Sequence, residues 1–170
     1  MNQMTSMARA SLRAKSAEAK TGARRILAVD YGRKRIGLAL SDELGLTAQP
    51  LATIERANRR DDMRRLGEIC VTQNVTRILV GHPLHISGEA GEMADEAERF
   101  AKRLTKETGI ETELVDERLT SWEAKQTMAQ TKSSTRRKSE GIDAVAAAVL
   151  LRDYLAHQSE KSRDKRKGEE

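Results

Sequence analysis

The stretch Ile26-Leu27-Ala28-Val29-Asp30-Tyr31-Gly32-Arg33-Lys34-Arg35-Ile36-Gly37-Leu38-Ala39-Leu40-Ser41-Asp42 decides the fold. An apolar run ends on the carboxylate of Asp30, turns through Tyr31 to Lys34, and resumes as a second apolar run ending on Ser41 and Asp42. That is the pattern of a β-hairpin with an acid at its mouth. A carboxylate at the end of a buried strand is costly unless it is paired, hydrogen-bonded or bound to a metal, so Asp30 calls for partners from elsewhere in the chain.

Working outward, Gly45 to Ile54 reads as a third strand, and Pro50 within it suits an edge position. Residues 59 to 73 place Met63, Leu66, Ile69 and Cys70 at helical spacing, with Asp61 and Asp62 near the N-terminus where the helix dipole favours acids. Cys70 falls on that apolar face and reads as core packing. Thr76 to Gly81 is a β-branched strand that stops at Pro83, and a loop from His82 to Gly91 leads into a helix with Met93, Ala97, Phe100, Ala101 and Leu104 on one side. Gly109 ends that helix. Residues 110 to 117 form a last strand running into Asp116-Glu117-Arg118, and Thr120 with Glu123 has capping-box spacing for a helix immediately after. Residues 131 to 140 read as a basic loop, followed by an Ala-rich helix from Gly141 to Leu155 with Asp143 in its first turn. The expected class is α/β, a mixed five-stranded sheet flanked by helices.

At 170 residues the chain suits one domain, placed at 26–156, with a basic disordered arm over 1–25 and a charged disordered tail over 157–170. The arm, basic and with Glu18 as its single acid, also has the composition of an organellar transit peptide; a solvated extension is the simpler reading. The formal charge of +5 lives in the ends: residues 26 to 156 carry 20 basic and 21 acidic groups. Overall basicity therefore says little about a polyanion partner, and local patches must carry that case. The lone cysteine gives no disulfide framework and no Cys-based zinc site, which points to a reducing, cytoplasmic setting. The apolar run from Ala144 to Leu151 is far short of the roughly 18 residues a membrane span needs, so no membrane partner is expected.

Three acids stand where regular elements begin or end: Asp30, Asp116 or Glu117, and Asp143. Each has a plain structural reading, a dipole contact for Asp143 and an ion pair with Arg118 for Asp116 or Glu117. Together they suggest Mg²⁺ or Mn²⁺, hard cations that take carboxylate, water and phosphate oxygens and support in-line phosphodiester cleavage. His82 and His85 lack the further Cys or His of a zinc set and suit a lining or surface role.

The segments Ala28 to Gly37 with Ser41-Asp42, Val80-Gly81-His82-Pro83-Leu84 with Gly88, Asp116 to Thr120 with Glu123-Ala124, and Asp143 to Ala147 resemble, in order, the motifs of the YqgF/RuvX family. That family is similar to the Holliday-junction resolvase RuvC and has an RNase H-like fold. The resemblance implies a nuclease maturing the 5′ end of pre-16S rRNA, with a divalent metal held by Asp30, Glu117 and Asp143. Choosing Glu117 over Asp116 comes from the family motif, since alternation says only that the two face opposite sides. His85 and Ser87 stand where the family often has Asn and Asp, which puts substrate contacts at those positions in doubt.

Basic residues beside the acids complete the polyanion reading: Arg33, Lys34 and Arg35 in the hairpin, Arg118 after Glu117, and Lys132, Arg136, Arg137 and Lys138 before Asp143. Aromatic residues are only 2% of the chain, leaving Tyr31 and Trp122 for base stacking, so recognition by shape and backbone is expected. The partner implied is pre-16S rRNA or the pre-ribosomal small subunit, with the chain a monomer or homodimer. Rival readings are a Holliday-junction resolvase and a non-catalytic nucleic-acid or ribosome-binding module. A third is the phosphate turn of actin-like ATPases, disfavoured by Arg33 where Ser or Thr would stand and by the absence of room for a duplicated domain.

Overall fold

A computed structural model describes residues 24–84, 87, 89–117 and 136–167, leaving aside the side chains of 136–140 and 162–167. The arm expected over 1–25 falls almost wholly outside these residues; β1 begins at Arg25. Five strands form one sheet: β1 Arg25–Tyr31, β2 Arg35–Ser41, β3 Ala48–Glu55, β4 Val75–His82 and β5 Thr112–Asp116, in the order β3-β2-β1-β4-β5. β1, β2 and β3 pair antiparallel, whereas β4 and β5 run parallel to β1. The mixed sheet expected from the sequence is therefore present. The opening hairpin is closed by the Gly32 N–H donating to Arg35 O at 3.0 Å. Pro50 sits on edge strand β3, beside a register shift opposite Leu38 and Ala39, where its missing N–H costs the ladder least.

Alternation along the strands builds two cores. On one face Leu27, Val29, Leu38, Ile78 and Val80 pack against α1 (Arg59–Thr72) and α2 (Glu92–Thr108) through Met63, Leu66, Cys70, Ala97, Phe100 and Leu104. On the other, Ala28, Ala39 and Leu79 meet Ala147, Leu150, Leu151 and Tyr154 of α3 (Arg136–Lys167). The small residues of β1 and β2 lie on this second face, and they let α3 approach the sheet closely. Among the described residues no helix is long and apolar enough to cross a membrane.

Local signals set most helix ends. Asn58 caps α1, its side chain accepting from the N–H groups of Arg60 and Asp61. Gly109 closes α2 in the left-handed conformation at φ 71°, which only glycine adopts cheaply. Helix α3 departs from expectation at both ends. It begins at Arg136, so residues 136–140 are helical where a basic loop was expected, and Asp143 lies about two turns inside the helix, not in its first turn. Gly141 costs a helix roughly 1 kcal/mol relative to Ala, too little to stop one that packs on a sheet. The helix also continues to Lys167, through the segment whose composition suggested a disordered tail. The Lys, Arg and Glu of that segment are good helix formers, and the Ser159 hydroxyl donates to Leu155 O at 3.0 Å.

A second correction concerns Tyr31, expected as a base-stacking residue. Its ring packs on Phe100 at 4.5 Å and lies under the Arg56 guanidinium at 4.8 Å, so it is committed to the fold. Arg56 donates to the Tyr31 hydroxyl at 2.9 Å and to Gly32 O at 3.2 Å, and it pairs through Nε with Asp62 Oδ2 at 3.1 Å. Asp62 is 1% exposed and also accepts from the Ala57 N–H, so it is a buried acid held by one cation and one amide.

Removing that cation strands a buried carboxylate. Arg56→Ala should lower the unfolding free energy by about 3 kcal/mol in urea denaturation, with Asp62→Asn recovering part of the loss in the double variant. Burial pushes the Cys70 thiol up to about 12, so it stays protonated and inert at neutral pH. A thiol reagent should leave the native chain unmodified and label one site per chain in denaturant.

Candidate active site

Asp30 lies near the end of β1, directly across from Gly37 of β2. On its other side, one step past the Val29–Val80 pair, runs Gly81 of β4. Side chains at neighbouring positions of adjacent strands leave the sheet on the same face, so Asp30, Gly37 and Gly81 share the α3 face with Ala28 and Ala39. Both glycines are required by what lies over them. A methyl group on Gly37 would overlap the backbone carbonyl of Asp143, and one on Gly81 would overlap the Glu117 carboxylate. Asp143 and Glu117 are thereby brought over the two strands that flank Asp30. The three acids expected to work together converge on one face of one sheet end.

The same alternation separates the residues that do not belong. Asp116 pairs with His82 across β4 and β5, one residue out of phase with Gly81 and Glu117, and so faces the α1 and α2 side. The His82 imidazole is mostly buried there, its Nε2 3.6 Å from Glu98 Oε1. Of Asp116 and Glu117, it is Glu117 that shares the face of Asp30. His85 lies outside the described residues. The Ser87 hydroxyl donates to Glu89 Oε2 at 3.4 Å, within its own loop.

Two of the cations expected to meet a polyanion, Arg33 and Arg35, are paired with acids of the chain itself. Arg33 pairs with Glu92 at 2.9 Å and with Glu96 at 3.0 Å, and these two carboxylates, Glu92 first, raise its guanidinium above the ordinary arginine value. Arg35 Nε stands 2.6 Å from Asp143 Oδ2. Lys34, at the tip of the turn, is exposed. Arg118 and Lys132 lie outside the described residues, as do the side chains of Arg136, Arg137 and Lys138. Sequence reasoning missed both ion pairs and the two glycines. A glycine inside an apolar strand is a signal for close approach of another backbone, and Gly37 and Gly81 carried it.

The donor set suits a hard divalent cation: carboxylate oxygens only, over a floor cleared of side chains. Asp143 Oδ2 is buried and, among the described residues, accepts no aligned hydrogen bond; its short contact with Arg35 is an ion pair. The set is open as it stands, since among the described residues no three His, Cys, Asp or Glu side chains close on a single point. Asp30, Glu117 and Asp143 are the residues that could hold an ion there. A separate cleft of about 540 Å³, lined by Arg25, Ser41, Asp42 and Gln73 among others, lies at the opposite end of β1 and β2.

The fold is RNase H-like: RuvC of Thermus thermophilus in complex with a Holliday-junction substrate superimposes with a TM-score of 0.53 at 14% identity, over 79% of this chain and 96% of that one. The family model RuvX, described as Holliday junction resolvase, matches residues 24–157, and the chain belongs to this family. Relatives carrying the name "Putative pre-16S rRNA nuclease" include one from Carboxydothermus hydrogenoformans, 40% identical over 79% of this chain and 98% of its own. Another, from Opitutus terrae, is 44% identical over 77% and 90% respectively. Both names describe hydrolases of phosphodiester bonds, and the chain is an enzyme of that class.

The two glycines predict different failures. Gly37→Ala meets backbone that cannot rotate away and should cost about 2 kcal/mol of stability in chemical denaturation. Gly81→Ala meets the end of a flexible side chain, so its melting temperature should stay near wild type while the displaced Glu117 lowers cleavage on the order of 10²-fold.

Proposed function

We propose that the chain is a divalent-metal-dependent nuclease that processes the 5′ end of pre-16S rRNA during small-subunit assembly in the cytoplasm. The observation that carries this reading is the convergence of Asp30, Glu117 and Asp143 over Gly37 and Gly81. A protein that only bound phosphate would gain by losing three negative charges on one face of one sheet end, whereas a metal-assisted hydrolase needs them. The names of the relatives favour RNA from the ribosomal precursor as substrate.

In this reading Asp30, Glu117 and Asp143 hold Mg²⁺ or Mn²⁺, which supplies activation of the attacking water and stabilisation of the leaving oxygen. Lys34 at the exposed turn, with Arg33, Arg35, Arg118, Arg136, Arg137 and Lys138, positions the phosphate backbone. The strand arrives as a polyanion at a site of net negative charge, so these cations offset repulsion as well as orient the substrate. Holliday-junction resolution is the second reading, favoured by the description of the family model. It shares the chemistry and differs in substrate.

Asp30→Asn should abolish Mg²⁺- or Mn²⁺-dependent cleavage of a 16S precursor RNA while leaving the melting temperature unchanged or raised, because one of three clustered like charges is removed. Wild-type cleavage that survives EDTA, or full activity in the Asn variant, would sink the metal-nuclease reading. Junction DNA assayed beside the precursor RNA distinguishes the two substrates.

A further inference from the structure

Arg35 opens β2 two residues before Gly37, so its side chain leaves the sheet on the α3 face, the face that carries the three acids. Its guanidinium lies 2.6 Å from Asp143 Oδ2, the buried oxygen that accepts no aligned hydrogen bond among the described residues. At that distance the pair is held by Coulombic attraction between two full charges. The two partners also differ in freedom. The Asp143 backbone is packed against Gly37 in a helix seated on the sheet, whereas Arg35 has a long stem and a side chain 36% exposed to solvent.

Resting on the metal reading above, we propose that Arg35 is the internal counter-ion of the acid site: it neutralises Asp143 while no divalent ion is held, and must release Oδ2 before one binds. Arg35 thereby sets the metal affinity. The guanidinium and the ion are drawn to the same carboxylate oxygen and repel each other at that range, so the guanidinium competes with the ion electrostatically. Even after it swings away, its charge opposes the ion's approach over the short distances of the site. Exchange is carried by the Arg35 side chain, while the Asp143 backbone stays packed on Gly37.

The test measures metal binding without nucleic acid. Isothermal titration of the full chain with Mn²⁺ should show Arg35→Gln binding about tenfold tighter than wild type, with a larger rise in melting temperature on adding metal and a lower melting temperature without it. Arg35→Lys, which keeps the charge, should stay near wild-type affinity. Equal or weaker binding by Arg35→Gln, or equal tightening in Arg35→Lys, overturns the inference while leaving the metal reading intact. Failure of wild type and variant alike to bind Mn²⁺ overturns both. On the wild-type chain, the arginine Nε–H resonance that Arg35→Gln removes should shift on Mg²⁺ titration; a resonance that does not move counts against the exchange.

Discussion

The contact of the α3 backbone at Asp143 with β2 at Gly37 is the constraint on which the rest of the molecule depends. A helix packed on a sheet is ordinarily kept away by the side chains of both, and a close approach requires that one surface be stripped. Here the strip runs through Gly37, Ala39 and Ala28 on the strands and Ala144 and Ala147 on the helix. Because interiors are packed to near crystalline density, even one methyl group at Gly37 would displace the helix. The position of Asp143 is thus set by the absence of a side chain on another element, and its relation to Asp30 follows from the strand register.

Clustering three carboxylates carries a cost in self-repulsion, and the surrounding cations are disposed against it. Arg35 meets Asp143 within the site, while Arg33 fastens the first turn to the N-terminal part of α2 through Glu92 and Glu96. Behind the same turn, Arg56 binds Gly32 O and the Tyr31 hydroxyl and is itself anchored by buried Asp62. The peptide that follows Asp30 is therefore gripped from both α1 and α2. A short turn clamped by ion pairs holds the end of β1 at Asp30 with more precision than a free loop would.

Several proteins of unlike activity begin with an apolar strand, an Asp-x-Gly turn and a second strand, so the opening hairpin does not identify chemistry by itself. Two further carboxylates, Glu117 and Asp143, lie over the strands on either side of Asp30. A phosphate-binding turn for ATP calls for hydroxyl and amide donors around an anion, whereas here two further acids are brought to the first. The family match over residues 24–157 agrees with that distinction, because it spans all three acids and not the hairpin alone.

Sequence by itself determined the features whose causes are local. Alternation marked the strands, Pro50 marked the edge, helical spacing placed Cys70 in the core, and Gly109 marked the end of α2. The order of motifs also pointed to the acids at 30, 117 and 143. Only the tertiary structure decided what depends on strand register and on elements far apart in the chain. It put Glu117 and not Asp116 on the face of Asp30, tied Arg35 to Asp143 across more than a hundred residues, and drew Tyr31 into packing with Phe100 and Arg56. It also carried α3 from Arg136 to Lys167, past a glycine and a charged stretch that composition took for loop and tail. The physical reason is the same throughout. Periodicity and turn chemistry act over a few residues and can be read in order, whereas ion pairing and close packing depend on which surfaces meet, and that is known only once the sheet has formed.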